Sequence, residues 1–505
     1  MLGLRRFQVL VAEDANWAQR FAVCAIIILL SRIATLVLGN YDLGQDEAQY
    51  WFWSKDLQFG YFSKPPLIAW VIATTTGIFG SSEAAIRLAA PLFHTATATI
   101  LFVFTKSLFG PREAFWVGLS WLILPAVLLS GVIISTDALL MFFWSSGLLL
   151  FFKLCTDDPD ANDLPSSVLL GISCGLGFLA KYAMIYFPAC AALALAVAPS
   201  FRQRVSIKAM LVAAFIAALI ALPNIIWNVE NEFQTVAHTA ANANLDRELF
   251  HFGSFASFFF SQFAVVGPFL FPVMLFSFYS SRKLTARDTE KALLAFSLPI
   301  LILICIQAFL SRAHANWAAA AYPAALVLSV GLAGRNLGDK TLRRGLLPLI
   351  IAGNAVNVVG LIVVSFALIA PGQLQRVELS SALRPLQGWK QHGDDVMAFF
   401  EETDGIDAIV ADDRAVIASL NYYADYPDTV LAFNSNNKVE HHYEAFYAYD
   451  PSSAKDILYV TTRSDGLGLK DRFETTTFIG ESTARVGGGG SRTLYVFKAE
   501  GPIGR

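Results

Sequence analysis

Charge is the scarcest property of this sequence. Of 505 residues only 15% are Asp, Glu, Lys or Arg, against 55% hydrophobic, and mean hydropathy is +0.52. Soluble domains average about 25% charged residues, so one soluble globular body is excluded. The net charge of −3 lacks the basic excess that a nucleic-acid partner would need. Cysteine is sparse as well. Cys24, Cys155, Cys174, Cys190 and Cys305 lie in or at the end of apolar runs with no CxxC spacing. Small packing residues are expected there, not a zinc ribbon or a disulfide framework. No GxxxxGK phosphate loop is present. No small-residue cleavage site accompanies the first apolar run, near Phe21, so a cleavable signal peptide is not expected.

What is abundant is apolar sequence in long runs. A helix needs about 20 mostly apolar residues to cross a bilayer. Eleven candidates follow: 21–38, 91–109, 114–130, 134–154, 167–180, 182–198, 209–226, 255–280, 292–310, 317–334 and 345–370. The fifth and sixth are read as a pair because one continuous span would place Lys181 at the bilayer centre. With the N-terminus inside, seventeen Lys and Arg fall in inside connections. Six fall outside: Lys55, Lys64, Arg87, Lys181, Arg247 and Arg312. That bias orients the chain and, with eleven spans, puts the C-terminal part outside. Residues 39–90 are aromatic and amphipathic, which predicts short helices in the membrane interface.

After Pro371 charges recur every few residues, which marks a domain boundary: a membrane domain 1–370, a linker 371–387 and a soluble domain 388–505. In the last, 408–411, 429–433, 457–462 and 493–498 read as strands, 394–402 and 414–423 as helices, and the four glycines 487–490 as a loop. The expected fold class is a polytopic α-helical membrane protein of about eleven spans with a C-terminal periplasmic α/β domain.

Unusual polar residues gather on the outward face. They are Asp46, Glu47, Gln49 and Tyr50, then Lys64 before Pro65 and Pro66. Asp137 stands at the head of an apolar helix, and Lys181 and Tyr182 lie in a turn. Arg312, His314 and Asn316 precede another span, and Arg32 lies near the end of the first. Ionisable groups at membrane depth are functional candidates. Carboxylates can take a proton from an acceptor hydroxyl, while Lys, Arg or His can hold a phosphate and the charge that builds on it. Such a set suits group transfer with a lipid phosphate as leaving group. Each residue has an ordinary reading too. The acids Asp46 and Glu47 could be solvated, and Asp137 could serve the first turn of its helix. Lys64 and Arg32 could snorkel to headgroups. Lys181, His314 and Asn316 could be turn and cap residues. His441 and His442 lack a spaced third metal ligand and read as packing residues. A transporter or lipid flippase is the rival class, although no internal repeat supports it. A sensor or scaffold is the third.

Several stretches together resemble the membrane glycosyltransferases of the GT-C fold. They are DEAQYWFW, YFSKPPLIAW, AAIRLAAPLF, STDALLMFFW, GLGFLAKY, LPNIIWNVENEF and HANWAAAAYP, spread over residues 21–330. The pattern is similar to the bacterial branch related to protein O-mannosyltransferases and lipid A aminoarabinose transferases. Within that branch it looks like the rhizobial-type transferases that add galacturonic acid to lipopolysaccharide. The resemblance implies a bacterial inner-membrane enzyme with a cytoplasmic N-terminus. It would invert the anomeric centre of a polyprenyl-phosphate-linked sugar, with lipid A or lipopolysaccharide core as acceptor and membrane lipids as surroundings. Asp46 matches the favoured general base, Asp137 the second acid, and Lys64 the lysine that holds the donor phosphate. A divalent metal stays open. Two positions depart from the aminoarabinose pattern: Gln49 stands where an arginine is usual, and Ser63 where an acid precedes the lysine. A cationic amino sugar would want that acid, so an acidic or neutral sugar is expected.

Overall fold

The computed structural model describes residues 2–503 except 157–162, 244–249, 282–285, 335–339, 371–372, 374–382, 435–437, 454 and 470. Arg247, Arg282, Lys283, Arg335 and most of the expected linker 371–387 therefore lie outside the described residues. The chain forms two compact units. The first joins Met1–Ala34, Lys64–Ile68 and Arg87–Ser365; the second joins Thr35–Ser63, Ala69–Ile86 and Phe366–Arg505.

The first unit is helical. Among the described residues seven helical segments are long and apolar enough to cross a bilayer: Asp14–Leu38, Glu83–Phe109, Thr136–Thr156, Ile207–Glu230, Asp288–Leu310, Ala315–Gly334 and Leu346–Ile369. The other expected spans are shorter or broken, so the count of eleven is not reached on that criterion. Leu164–Ala180 and Tyr182–Val197 are short apolar helices. Phe252–Val266 and Leu270–Ser281 meet at 109°. Gly267, with φ of 108°, stands between them and is followed by proline, which favours such a break. The run 114–130 is likewise cut. Leu124 is extended (ψ 138°) before Pro125, as a residue preceding proline prefers, so Pro111–Ile123 ends there and Pro125–Ser130 begins.

Packing inside this unit follows membrane rules. Without a hydrophobic drive between helices in lipid, small residues let backbones approach. Gly171 and Gly175 do this where Leu164–Ala180 meets Ile207–Glu230. A Cβ at Gly171 would lie 2.6 Å from the Ala213 carbonyl oxygen, and one at Gly175 would lie 2.7 Å from Ile220 Cβ. The helix Ile207–Glu230 exposes Leu211, Phe215, Leu219, Leu222 and Ile226, whereas Tyr322–Gly334 is buried almost throughout. An apolar outer surface around a close-packed interior is what a lipid solvent allows.

The second unit is built on a five-stranded sheet of order β2-β1-β3-β5-β4. The strands are β1 (Ala408–Ala411), β2 (Leu431–Ala432), β3 (Ile457–Thr461), β4 (Phe473–Val486) and β5 (Gly490–Pro502). The first three run parallel and β5 pairs antiparallel with both β3 and β4. Gly488 and Gly489 take positive φ in the turn between the last two strands, where a side chain would be strained. Helices Trp389–Glu402 and Arg414–Tyr423 pack on the sheet.

The aromatic segment after the first span belongs to this unit. Helix Gln45–Trp53 packs on Arg414–Tyr423, with Trp51 edge-on to Tyr422 at 4.8 Å. Phe52 lies 5.0 Å from Tyr447, and Trp53 lies 5.4 Å from His442 and stacks on Tyr61 at 4.6 Å. The Asp42 carboxylate accepts from Trp389 N–H at 2.6 Å, and Leu43 N–H donates to the Tyr423 hydroxyl, also at 2.6 Å. Tyr50, Trp53 and Tyr61 are thus buried against protein, where the sequence suggests headgroups.

Candidate active site

The acidic pair Asp46-Glu47 sits in the first turn of Gln45–Trp53, where the helix dipole favours negative charge. The two acids differ. Glu47 is buried and its Oε2 accepts the Gly44 N–H at 2.9 Å, closing the helix start. The Asp46 side chain is 56% exposed. Its Oδ1 accepts from Arg414 Nη2 at 2.9 Å, and Arg414 Nη1 donates to Gln49 Oε1 at 3.1 Å. Asp46 Oδ2 makes no hydrogen bond among the described residues. Tyr50, on the same helix, is buried against Trp53 with ring centres 5.4 Å apart.

The first unit holds a second carboxylate. Asp137 heads helix Thr136–Thr156. Lys181, at the C-terminal end of Leu164–Ala180, places Nζ 2.7 Å from Asp137 Oδ1. The Asn316 Nδ2 donates to Oδ2, also at 2.7 Å. Both carboxylate oxygens are therefore engaged, and the acid and lysine side chains are only 15% and 21% exposed. Three residues that the sequence singles out separately, at 137, 181 and 316, form one cluster. The next residue, Tyr182, donates to Asn224 Oδ1 at 3.0 Å and accepts from Asn228 Nδ2 at 3.1 Å.

The remaining donor-side candidates are more dispersed. Lys64 is half-buried ahead of the buried prolines Pro65 and Pro66. Arg312 and His314 are exposed, the imidazole edge-on to Trp317 at 5.3 Å. Arg32 does not reach an outer surface. It is fully buried and donates to the carbonyls of Leu122 and, at 3.1 Å, Val127. These carbonyls flank the break at Leu124, so the guanidinium caps an interrupted helix. His442 is enclosed by Phe52, Trp53, Tyr61 and Tyr447, and His441 caps its short helix by accepting the Glu444 N–H. Among the described residues no group of three or more His, Cys, Asp or Glu comes together that could hold a metal.

Sequence reasoning missed three contributors. Asn224 and Asn228, four apart on an apolar helix, were detectable as polar residues on one face. Arg414 carried no local signal, because it meets Asp46 across 368 positions.

Comparison with known proteins identifies the lineage. The chain is 34% identical to the lipid A galacturonosyltransferase RgtD of Rhizobium johnstonii over 441 residues, 86% of this chain and 90% of that protein. The chain belongs to that family of membrane glycosyltransferases. It is an enzyme of the glycosyltransferase class. The model for dolichyl-phosphate-mannose-protein mannosyltransferases matches residues 63–227. An undecaprenyl phosphate-alpha-4-amino-4-deoxy-L-arabinose arabinosyl transferase of Aeromonas salmonicida is 28% identical over 122 residues, 24% of this chain and 22% of that protein. The fold matches the crystal structure of ArnT from Cupriavidus metallidurans bound to undecaprenyl phosphate, with a TM-score of 0.64 at 15% identity. The match covers 95% of this chain and 98% of that one. This is the GT-C fold with a C-terminal sheet domain, and the transporter reading is set aside.

Proposed function

We propose that this enzyme moves an acidic sugar, galacturonic acid, from a polyprenyl-phosphate donor to a hydroxyl of lipid A or lipopolysaccharide core. The observation that carries the reading is the near full-length identity to a lipid A galacturonosyltransferase, against a short match to an aminoarabinose transferase. Ser63 in place of an acid beside Lys64 agrees with it. An ammonium held near a phosphate needs a paired carboxylate, and the carboxylate of Asp137 is already engaged by Lys181 and Asn316. The exposed Arg312 cation and the neighbouring His314, an N–H donor, suit an anionic sugar.

In this mechanism Asp46 takes the proton of the acceptor hydroxyl through its unengaged Oδ2. The acceptor oxygen forms the new bond to C1, the bond from C1 to the phosphate oxygen breaks, and polyprenyl phosphate leaves with that electron pair. Lys64 holds the departing phosphate and balances its charge. No nucleotide is consumed, because the donor bond stores the energy. The C-terminal domain lies on the periplasmic side, and a reporter active only there, fused after Arg505, is expected to be active.

The test offers purified protein two donors side by side, polyprenyl-phosphate-linked galacturonic acid and polyprenyl-phosphate-linked aminoarabinose, with lipid A as acceptor. Mass spectrometry of the product is expected to show addition of the uronic acid. Addition of aminoarabinose alone would refute the sugar assignment.

A further inference from the structure

The pairing of Arg414 with Asp46 is more specific than helix packing requires. Arg414 sits in the first turn of Arg414–Tyr423, where the helix dipole opposes a cation. Its own helix gains nothing from that charge. Two of its N-terminal N–H groups are already satisfied, because Asp413 accepts from Ala415 N–H at 2.8 Å and from Val416 N–H at 3.1 Å. Nor is the ion pair needed to join the two helices. Trp51 on Tyr422 already does so, and Leu43, just ahead of the first helix, bonds Tyr423 on the second.

What the guanidinium does is fork. One terminal nitrogen takes Asp46 Oδ1 and the other takes Gln49 Oε1, three residues on and on the same helix face. A planar fork bound at two points cannot rotate freely, and neither can the carboxylate it holds. Oδ2 is the oxygen left over. The backbone before Arg414 is itself anchored, since Asp412 is paired with Arg463. Gln49 is buried, so the second prong of the fork has a fixed partner.

We infer that Arg414 is a positioning residue for Asp46: together with Gln49 it fixes the carboxylate so that Oδ2 faces the acceptor hydroxyl. This rests on the reading of Asp46 as the general base. The residue acts through Asp46 and need not touch either substrate. It follows that the sheet domain contributes to the catalytic step as well as to the fold.

The experiment uses the full-length protein in detergent or nanodiscs, with polyprenyl-phosphate-linked galacturonic acid and lipid A. Asp46→Asn is expected to lower kcat by about 10²–10⁴-fold. Arg414→Gln is expected to lower kcat by about 10–100-fold, the scale of a misplaced catalytic group, with donor KM changed by less than about threefold. The double variant Asp46→Asn with Arg414→Gln is expected to be within about threefold of Asp46→Asn alone, because residues acting as a unit are not additive. Gln49→Arg combined with Arg414→Gln moves the guanidinium to the neighbouring position on the same face and is expected to recover part of the lost rate. Arg414→Lys, which keeps charge but not the fork, is expected to fall between wild type and Arg414→Gln. It carries the test if Arg414→Gln does not fold. Losses that multiply in the double variant, a loss wholly in donor KM, or an Arg414→Lys protein as slow as Asp46→Asn would each overturn the inference. Full activity of Asp46→Asn would instead overturn the general-base reading, so the two failures are distinguishable.

Discussion

Asp137 and Asp46 are both first-turn acids of helices, and their surroundings are opposite. Asp137 lies in the helical unit, largely covered, with one oxygen on Lys181 and the other on Asn316. Asp46 lies in the sheet-bearing unit, more than half exposed, with one oxygen on Arg414 and the other without a hydrogen bond among the described residues. We expect the doubly engaged carboxylate to organise the groups around it and the singly engaged one to accept the proton. Glu47, the next residue, differs again: it is buried and one of its oxygens accepts the Gly44 N–H at the helix start.

The largest expected difference is catalytic. Asp46→Asn should lose about 10²–10⁴-fold in kcat, whereas Glu47→Gln should remain within about threefold, since the shape that caps the helix is kept. Comparable losses in both would erase the distinction between the two neighbours.

Lys64→Ala comes next. Truncating one partner of a charge pair typically costs about 2–5 kcal/mol, so donor kcat/KM should fall by at least about 30-fold while acceptor KM stays near wild type. A change confined to the acceptor would remove Lys64 from the phosphate.

Acid should separate the two regions. Burial holds His392 at about 4, aided by Arg492, and His441 at about 4, aided by Arg414. It holds His442 at about 3, aided by His441. All three lie in the sheet-bearing unit, below the ordinary 6.5. The unfolded chain therefore takes up protons first as pH falls. The contribution is complete above about pH 6.5 and is lost on the way down to about 4, by up to about 1.4 kcal/mol per histidine per pH unit. Hydrogen exchange at pH 7 and pH 5 should show faster opening of residues 383–503, and His442→Phe should blunt the change. Equal exchange at both values would contradict it.

Asp137→Asn should act on stability more than on chemistry. It leaves Lys181 without its ion-pair partner in a mostly covered setting, a cost of about 1–3 kcal/mol. Thermal denaturation of the solubilised protein reads it.

The parts of this contrast that the sequence reveals are those set by local pattern. The helix at 414–423 and the strand at 408–411 follow from apolar periodicity and are found at those bounds. β4 is absent from the sequence reading. It lies at the sheet edge, and its first half, Glu474 to Phe478, is exposed in succession, so the alternation that marks a half-buried strand is confined to its second half, Glu481 to Val486. The cluster at 137, 181 and 316 was legible because all three residues stand where apolar runs end on one face. Arg32 is legible as unusual, but its task is not, since it depends on the Leu122 carbonyl beside a helix break some ninety residues away. Arg414 was invisible for the same reason on a larger scale. The arginine absent at position 49 has a counterpart in space, and only the fold brings it to Asp46.

The most direct test of the contrast is single-turnover sugar transfer by Asp46→Asn and Asp137→Asn proteins, prepared alike and compared per folded molecule. The account predicts that Asp46→Asn is slower than Asp137→Asn by at least about tenfold. A faster Asp46→Asn protein would mean that the doubly held acid is the base, and would contradict it.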